Sequence, residues 1–251
     1  MNISLYQAAS ALNANSRWQE VIAENMAASS VPGYKRQDVS FQAIQAGMVP
    51  PGSETASAQQ NVWSMPQAAT HTTFGPGEMR YTGVDTDVGI QGSGFFEVQM
   101  PNGALAYTRD GEFQMNGAGQ LTTKQGYLVM GQGGPIQLDR ASVDPIAVSD
   151  DGTVSQGSVD RGTLKVVEFN KPELLSPITG GMFQARDANL QVVNNSSPNL
   201  RQFYLEQANT TAVSEMANMI TVMRASEANQ RVIQMEDDRM GKAITELGNP
   251  N

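Results

Sequence analysis

The glycines of this chain are confined almost entirely to its middle. Of 24, 19 fall between Gly75 and Gly181, and the first 32 residues contain none. Glycine inside a helix costs about 1 kcal/mol relative to alanine, whereas tight turns need the positive φ angles that glycine adopts freely. The distribution predicts an α+β chain with helices at both ends and a central, mostly antiparallel β domain. We divide it into an N-terminal helix over residues 1–33, an extended or partly ordered connector over 34–73, a β domain over 74–199 and a C-terminal helix over 200–251.

Within the first part, Leu5, Leu12, Gln19 and Met26 recur every seven residues, flanked by Ala8, Ala9, Ile22 and Ala23. The stripe is thin and built from small side chains, and Val31-Pro32-Gly33 stops it, because proline restricts the residue before it and glycine supplies a turn. In the last part, Met216, Met223 and Ile244 share one heptad position, while Met219, Ile233, Met240 and Leu247 share another. The two positions lie three and four residues apart, the spacing of a coiled coil. Ser226, Gln230 and Asp237 interrupt that seam. A lone helix of this kind is marginal in water, so the two ends are expected to form a coiled-coil-like layer.

The connector carries Pro50-Pro51-Gly52-Ser53 and no strong periodicity, as an extended linker would. The middle alternates strand-like runs, such as Phe95 to Met100 and Leu164 to Phe169, with Asn102-Gly103, Asp110-Gly111, Asn116-Gly117 and Asp151-Gly152. Asn-Gly and Asp-Gly favour hairpin turns whose twist matches the flanking strands. Four such dipeptides predict consecutive antiparallel hairpins, and no helical pattern alternates with them as a parallel βαβ sheet would require.

Charge and composition remove several function classes. The net charge is −9 and no basic cluster exceeds Lys35-Arg36, which disfavours nucleic acid and anionic membrane surfaces as partners. No apolar run approaches the roughly 20 residues of a membrane span, and Met1 to Tyr6 has neither the basic nor the apolar region of a secretory signal. With no cysteine, disulfides, thiolate metal sites and cysteine nucleophiles are excluded. Only 16% of residues are charged, so a surface contact desolvates few charges.

Candidate chemistry is sparse. His71, the single histidine, reads as a polar loop residue, and no Gly-x-Ser-x-Gly elbow accompanies it. Gly89 to Gly94 reverses the dinucleotide glycine order and continues into a strand, so no helix N-terminus could hold a pyrophosphate. It reads as a turn or bulge. Asp85, Asp87, Asp150 and Asp151 are too sparse for a calcium loop and read as turn and surface residues. No catalytic, cofactor or metal residues are expected, and the methionines of the C-terminal stripe read as helix–helix packing.

Taken together, the motifs resemble the bacterial flagellar rod and hook family. Ala23-Glu24-Asn25-Met26-Ala27 followed by Val31-Pro32-Gly33-Tyr34-Lys35-Arg36 is similar to its helix end and Pro-Gly-aromatic-Lys turn. Asp87 to Val98, with Gly92 and Gly94, resembles its core strand motif, as does Tyr107-Thr108-Arg109-Asp110-Gly111-Glu112-Phe113. Gly119 to Thr122 and Gly126 to Val129 follow in the same order. The C-terminal helix is similar at Leu205-Glu206, Asn209, Glu215-Met216, Met219-Ile220, Arg224-Ala225 and Glu227. The family's Gly-Ser-Asn-Val-Asn is replaced by Gln207-Ala208-Asn209-Thr210-Thr211, and its aromatic in Arg-Ala-x-Glu by Ser226. The compact middle argues against a hook protein, and the proximal-rod (FlgF-like) type is slightly favoured over the distal-rod (FlgG-like) type.

The resemblance implies a structural subunit without enzymatic activity, whose terminal helices pack with copies of itself and with neighbouring rod proteins into a helical tube. The interface residues expected are Leu5, Leu12, Ile22, Asn25, Met26, Met216, Met219, Ile220, Met223, Ile233, Met240, Ile244 and Leu247. It also implies export by the flagellar type III apparatus, without a cleaved signal, to the periplasm-spanning rod. Two other readings are a secreted β-rich adhesin or carbohydrate-binding module with helical arms, and a hydrolase using Asp87 or Asp150. Neither needs heptads at both chain ends.

Overall fold

The computed structural model describes residues 3–46, 63–187, 189–194 and 198–247; the side chains of 3–5, 43–46, 63–66, 194 and 247 lie outside the described set. The chain divides into two compact units. One comprises residues 1–26, 37–71 and 212–251, and the other residues 27–36 and 72–211.

The first unit holds most of α1 (Ile3–Ala28), all of α2 (Ala212–Leu247), and the strands Gln37–Ala46 and Trp63–Thr72, which pair as a two-stranded ribbon. α1 contains neither glycine nor proline. Ala8, Ala14, Asn15, Val21, Ile22 and Asn25 are its buried residues, so one face turns inward at helical spacing. Asn25 fastens the ribbon to it: Nδ2 donates to the Gln37 carbonyl at 2.7 Å, and Oδ1 accepts from the Gln37 N–H at 2.9 Å. Trp18 meets Phe41 edge to face at 5.6 Å, and Gln19 Nε2 donates to Ser226 Oγ of α2 at 3.2 Å. The described part of the connector is therefore regular paired backbone, and Pro50 to Ser53 lie outside the described residues.

The second unit is β. Among the described residues its main sheet has ten strands, every pairing antiparallel, with Phe95–Gln99 between Leu105–Thr108 and Leu128–Gly131 and also paired to Val166–Phe169. Phe95–Gln99 is covered on both sides, which explains its unbroken burial. Phe96 and Val98 enter a core with Ala106, Val129, Val154, Leu164 and Leu200. Phe95 enters a second core with Tyr107, Val167, Leu175 and Phe183. Glu97, on the same strand, is buried and receives Lys165 Nζ at 2.8 Å.

Three of the four Gly dipeptides close hairpins. Asn102-Gly103 joins Phe95–Gln99 to Leu105–Thr108, Asn116-Gly117 joins Phe113–Met115 to Leu121–Thr123, and Asp151-Gly152 joins Ile146–Val148 to Thr153–Gln156. Asp110-Gly111 does not. The Gly111 carbonyl accepts from Val88 N–H at 3.1 Å, and a Cβ on Gly111 would overlap the Val88 carbonyl oxygen. Here glycine serves close backbone approach and not a hairpin turn.

The expected start of the C-terminal helix at residue 200 is corrected by twelve residues. Leu200–Gln202 pairs with Val88–Ile90, and Tyr204–Glu206 pairs with Met79–Tyr81. Leu200 and Leu205 are buried, and Phe203 between the strands has φ 68°, a value no right-handed helix accepts. α2 begins only at Ala212.

Candidate functional site: a buried ionic clasp and an open helix face

In the β unit, the Pro32-Gly33-Tyr34-Lys35-Arg36 turn meets the C-terminal strand. Gly33 N–H donates to the Glu206 carbonyl at 2.7 Å, with Gly33 at φ +67° and its Cα against the Arg109–Asp110 peptide, where a Cβ would overlap backbone. Lys35 Nζ donates to Glu206 Oε1 at 2.7 Å and to the Gly75 carbonyl at 2.9 Å. Gly77 N–H donates to the same Oε1 at 2.7 Å. Arg109 stands on the other carboxylate oxygen, Nη1 to Oε2 at 3.4 Å, gives Nη2 to the Gly92 carbonyl at 2.7 Å, and lies over the Phe95 ring at 5.3 Å. The side chains of Lys35, Glu206 and Arg109 are 1%, 3% and 7% exposed. Burial pulls Lys35 below its usual pKa although Glu206 opposes the shift, and burial lowers Arg109 in the same way.

Asn209 completes the clasp. Its Oδ1 accepts from Arg36 N–H at 2.6 Å, and its Nδ2 donates to the Thr73 and Gly75 carbonyls at 2.8 and 3.2 Å. Its own N–H donates to the Tyr34 carbonyl at 3.2 Å. The clasp thus gathers the helix-ending turn, the entry to the β unit at Thr73–Gly77, the Arg109 corner and the final strand. A buried charge trio held from four segments, with Arg109 Nε left without a hydrogen-bond partner, fixes one arrangement of the chain.

Beside it, a groove is lined by Pro32, Arg80, Thr82, Asp87, Asp110, Glu112 and Lys124 among others. Asp87, expected at the surface, is 4% exposed, and Asp110 is 6% exposed. Burial pushes Asp110 up to about 6 against the opposing hydrogen bond from Glu112 N–H, and burial raises Asp87; the Glu112 carboxylate charge adds to both. Glu112 N–H donates to Asp110 Oδ1 at 2.9 Å, and Lys124 Nζ reaches Glu112 at 2.9 Å. Among the described residues no group of three or more His, Cys, Asp or Glu is placed to hold a metal, and His71 is an exposed strand residue. Gly92 and Gly94, at φ 117° and 115°, shape the turn before Phe95, as expected.

In the helical unit, α2 has two different sides. Glu215 and Val222 are fully buried, and Met219, Ser226, Asn229, Ile233 and Glu236 are partly buried. The inward rows are therefore 215–222–229–236 and 219–226–233. The expected Met219 row turns inward only as far as Ile233, Met240 being exposed, and the other inward row is displaced by one residue from the expected one. Met216, Met223 and Ile244 are instead 51%, 52% and 71% exposed, and Ile220 is 54% exposed. The ambiguity is geometric: Met219 lies three residues after Met216 and four before Met223, but also four after Glu215 and three before Val222, so either flank completes a seam. The fold uses the Val222 flank. Val213, Met216, Ile220 and Met223 remain as an apolar stripe open to solvent.

Of the other expected interface residues, Ile22 and Asn25 are buried, Leu12 and Met26 are partly buried, and Met240 is exposed. The side chains of Leu5 and Leu247 lie outside the described residues. Sequence reasoning missed Val222 and the pairing of Lys35 with Glu206. Their only sequence signals were the second flank of the Met219 row and a lone lysine after a Pro-Gly turn.

Residues 5–35 match the family described as "Flagella basal body rod protein", residues 89–156 match "Flagellar hook protein FlgE/F/G D1 domain", and residues 201–246 match "Flagellar basal body rod FlgEFG protein C-terminal". The chain is 30% identical over 260 residues to the flagellar basal-body rod protein FlgG of Borreliella burgdorferi, covering 96% of this chain and 97% of that protein. The chain belongs to the flagellar basal-body rod protein family. Other members of the family match at the same level. The FlgG of Buchnera aphidicola subsp. Baizongia pistaciae is 32% identical over 258 residues, covering 95% of this chain and 97% of that protein. The FlgF of Escherichia coli K12 is 31% identical over 256 residues, covering 97% of each. FlgF and FlgG types stand at comparable identity, so the comparison gives the family and not the type. Every element of the clasp except Arg36 and the Thr73–Gly77 entry falls inside a matched segment.

Proposed function

We propose that this chain is a structural subunit of the bacterial flagellar rod, working by assembly and not by catalysis. The observation that carries the reading is the two-sided α2. One flank of the Met219 row is buried within the chain, and the other, Val213, Met216, Ile220 and Met223, is apolar and open. Burying apolar surface contributes about 25 cal/mol per Å², so the open flank favours a further helix from another subunit, and α1 and α2 become part of a coiled-coil-like layer. A heterologous contact of this kind, repeated along a screw axis, gives an open filament. In this reading the partners are copies of the chain and adjacent rod proteins, and the chain reaches the periplasm-spanning rod through the flagellar type III apparatus; the family membership supports the reading. The clasp supplies the rigid β unit that each subunit carries into the assembly.

The adhesin reading finds no support, since the relatives named above are flagellar rod proteins and α2 leaves an apolar stripe open. Sedimentation across a concentration series tests the proposal, comparing the full chain with residues 27–211, alone and mixed with other rod subunits. The expected result is a β-rich monomer for 27–211 and association for the full chain. A full chain that stays monomeric under every one of these conditions would overturn it.

A further inference from the structure

The chain has 14 methionines and no cysteine, so every sulfur it owns is a thioether. Two of them occupy the open flank of α2. Met216 and Met223 stand one heptad apart, 51% and 52% exposed, with Ile220 between them and Val213 one turn earlier. As a thioether, methionine is apolar and pliable, well suited to fill an irregular helix–helix contact. As a sulfoxide it is polar, chiral and a strong hydrogen-bond acceptor. The neighbouring stripe residues, valine and isoleucine, offer no side-chain donor to such an oxygen, so docking would desolvate it without compensation.

We infer that Met216 and Met223 form an oxidative modification site for peroxide-class two-electron oxidants, and that their conversion to sulfoxides blocks subunit association. The inference rests on the assembly reading given above. In the reaction, a sulfur lone pair attacks one peroxide oxygen, forming the S–O bond as the O–O bond breaks. The thioether sulfur is oxidised by two electrons and the peroxide is reduced, leaving as water after proton transfer. No further reactant is needed, and methionine sulfoxide reductases reverse the change. The site discriminates between free and assembled subunits, because docking covers both sulfurs. Met182, 3% exposed in the β core, is shielded in either state. Met115, 40% exposed on a β strand, and Met235, 63% exposed about 18 Å further along α2, are reactive sulfurs off the stripe.

The test treats the full-length chain with hydrogen peroxide, maps sulfoxides by peptide mass spectrometry and measures association by sedimentation. Met216→Leu/Met223→Leu serves as the second variant, since leucine conserves volume and helix preference. We expect oxidation to weaken the parent's association at least about tenfold relative to its own reduced form, while the double variant, whatever its own reduced affinity, associates equally before and after peroxide although Met115 and Met235 are oxidised. In preassembled material, Met216 and Met223 should oxidise more slowly than Met115. Parent carrying both sulfoxides that associates like reduced parent overturns the inference and leaves the assembly reading standing, as does equal loss in the double variant. If Ile220→Asp leaves association of the reduced chain unchanged, both fall together.

Discussion

Glu206→Gln is the sharpest probe of the clasp. The substitution keeps the side-chain length and an oxygen that can accept from Lys35 and the Gly77 N–H, but removes the carboxylate shared by the two buried cations. Lys35 at 2.7 Å and Arg109 at 3.4 Å would then face each other across a neutral amide, with side chains 1% and 7% exposed. Breaking a buried ion pair by removing one partner costs about 3–5 kcal/mol, a large part of the 5–15 kcal/mol that stabilises a typical domain. Urea unfolding followed by circular dichroism reads the change directly. A matched control is Glu112→Gln, which breaks the Lys124 pair at 2.9 Å, nearly the same length but with Lys124 66% exposed; it should change stability by less than about 1 kcal/mol. The pH dependence adds a second check. Lys35 lies below its usual pKa by burial, so the folded state holds its proton less tightly than the unfolded chain. Stability from this group rises with pH between its folded value and 10.5, and loss of Glu206 should widen that window downward. A loss below about 1 kcal/mol in Glu206→Gln, within the range of exposed pairs, would refute the view that burial makes this carboxylate indispensable.

Asp110→Asn should stabilise the chain at pH 7.5 and not below pH 3.8. Burial raises Asp110 from 3.8 to about 6, so the folded state holds the proton more tightly and parent stability falls as pH climbs through that interval; the rise corresponds to at most about 3 kcal/mol. Denaturation at pH 3.5, 5 and 7.5 checks the sign, and a gain that is the same at all three would contradict it. Asn209→Ala removes bonds to Arg36, Thr73 and Gly75 and should cost about 1–3 kcal/mol by the same assay. Gly111→Ala drives a methyl onto the Val88 carbonyl and should destabilise by more than about 1 kcal/mol, a result distinguishable from a hairpin-turn role by the small effect expected for Gly117→Ala, where a Cβ meets open space.

Local chemistry made much of this fold readable in the sequence. The absence of glycine and proline marks α1, and Asn102-Gly103, Asn116-Gly117 and Asp151-Gly152 lie at hairpin turns of three residues, each decided within a few residues. Asp110-Gly111 carries the same letters for another reason, the approach of Val88, and nothing local distinguishes the two. The clasp was hidden by distance along the chain: Lys35 and Glu206 are 171 residues apart, and neither periodicity nor spacing connects them. Residues 200–206 fall in the glycine-poor C-terminal part of the sequence, which reads as helix. Pairing with Val88–Ile90 and Met79–Tyr81 overrode that local preference. The seam of α2 was legible to within one residue, since the Met219 row has two usable flanks and only packing chooses between them.

The most direct measurement of the assembly claim is sedimentation velocity on Ile220→Asp. Ile220 is 54% exposed, so a carboxylate there leaves the subunit's own core untouched, and circular dichroism should be unchanged. The matched variant is Thr221→Asp, which adds the same charge at an exposed position about 100° around the helix. The account predicts that Ile220→Asp remains a folded monomer at concentrations where the parent and Thr221→Asp associate. Association of Ile220→Asp indistinguishable from the parent would contradict it.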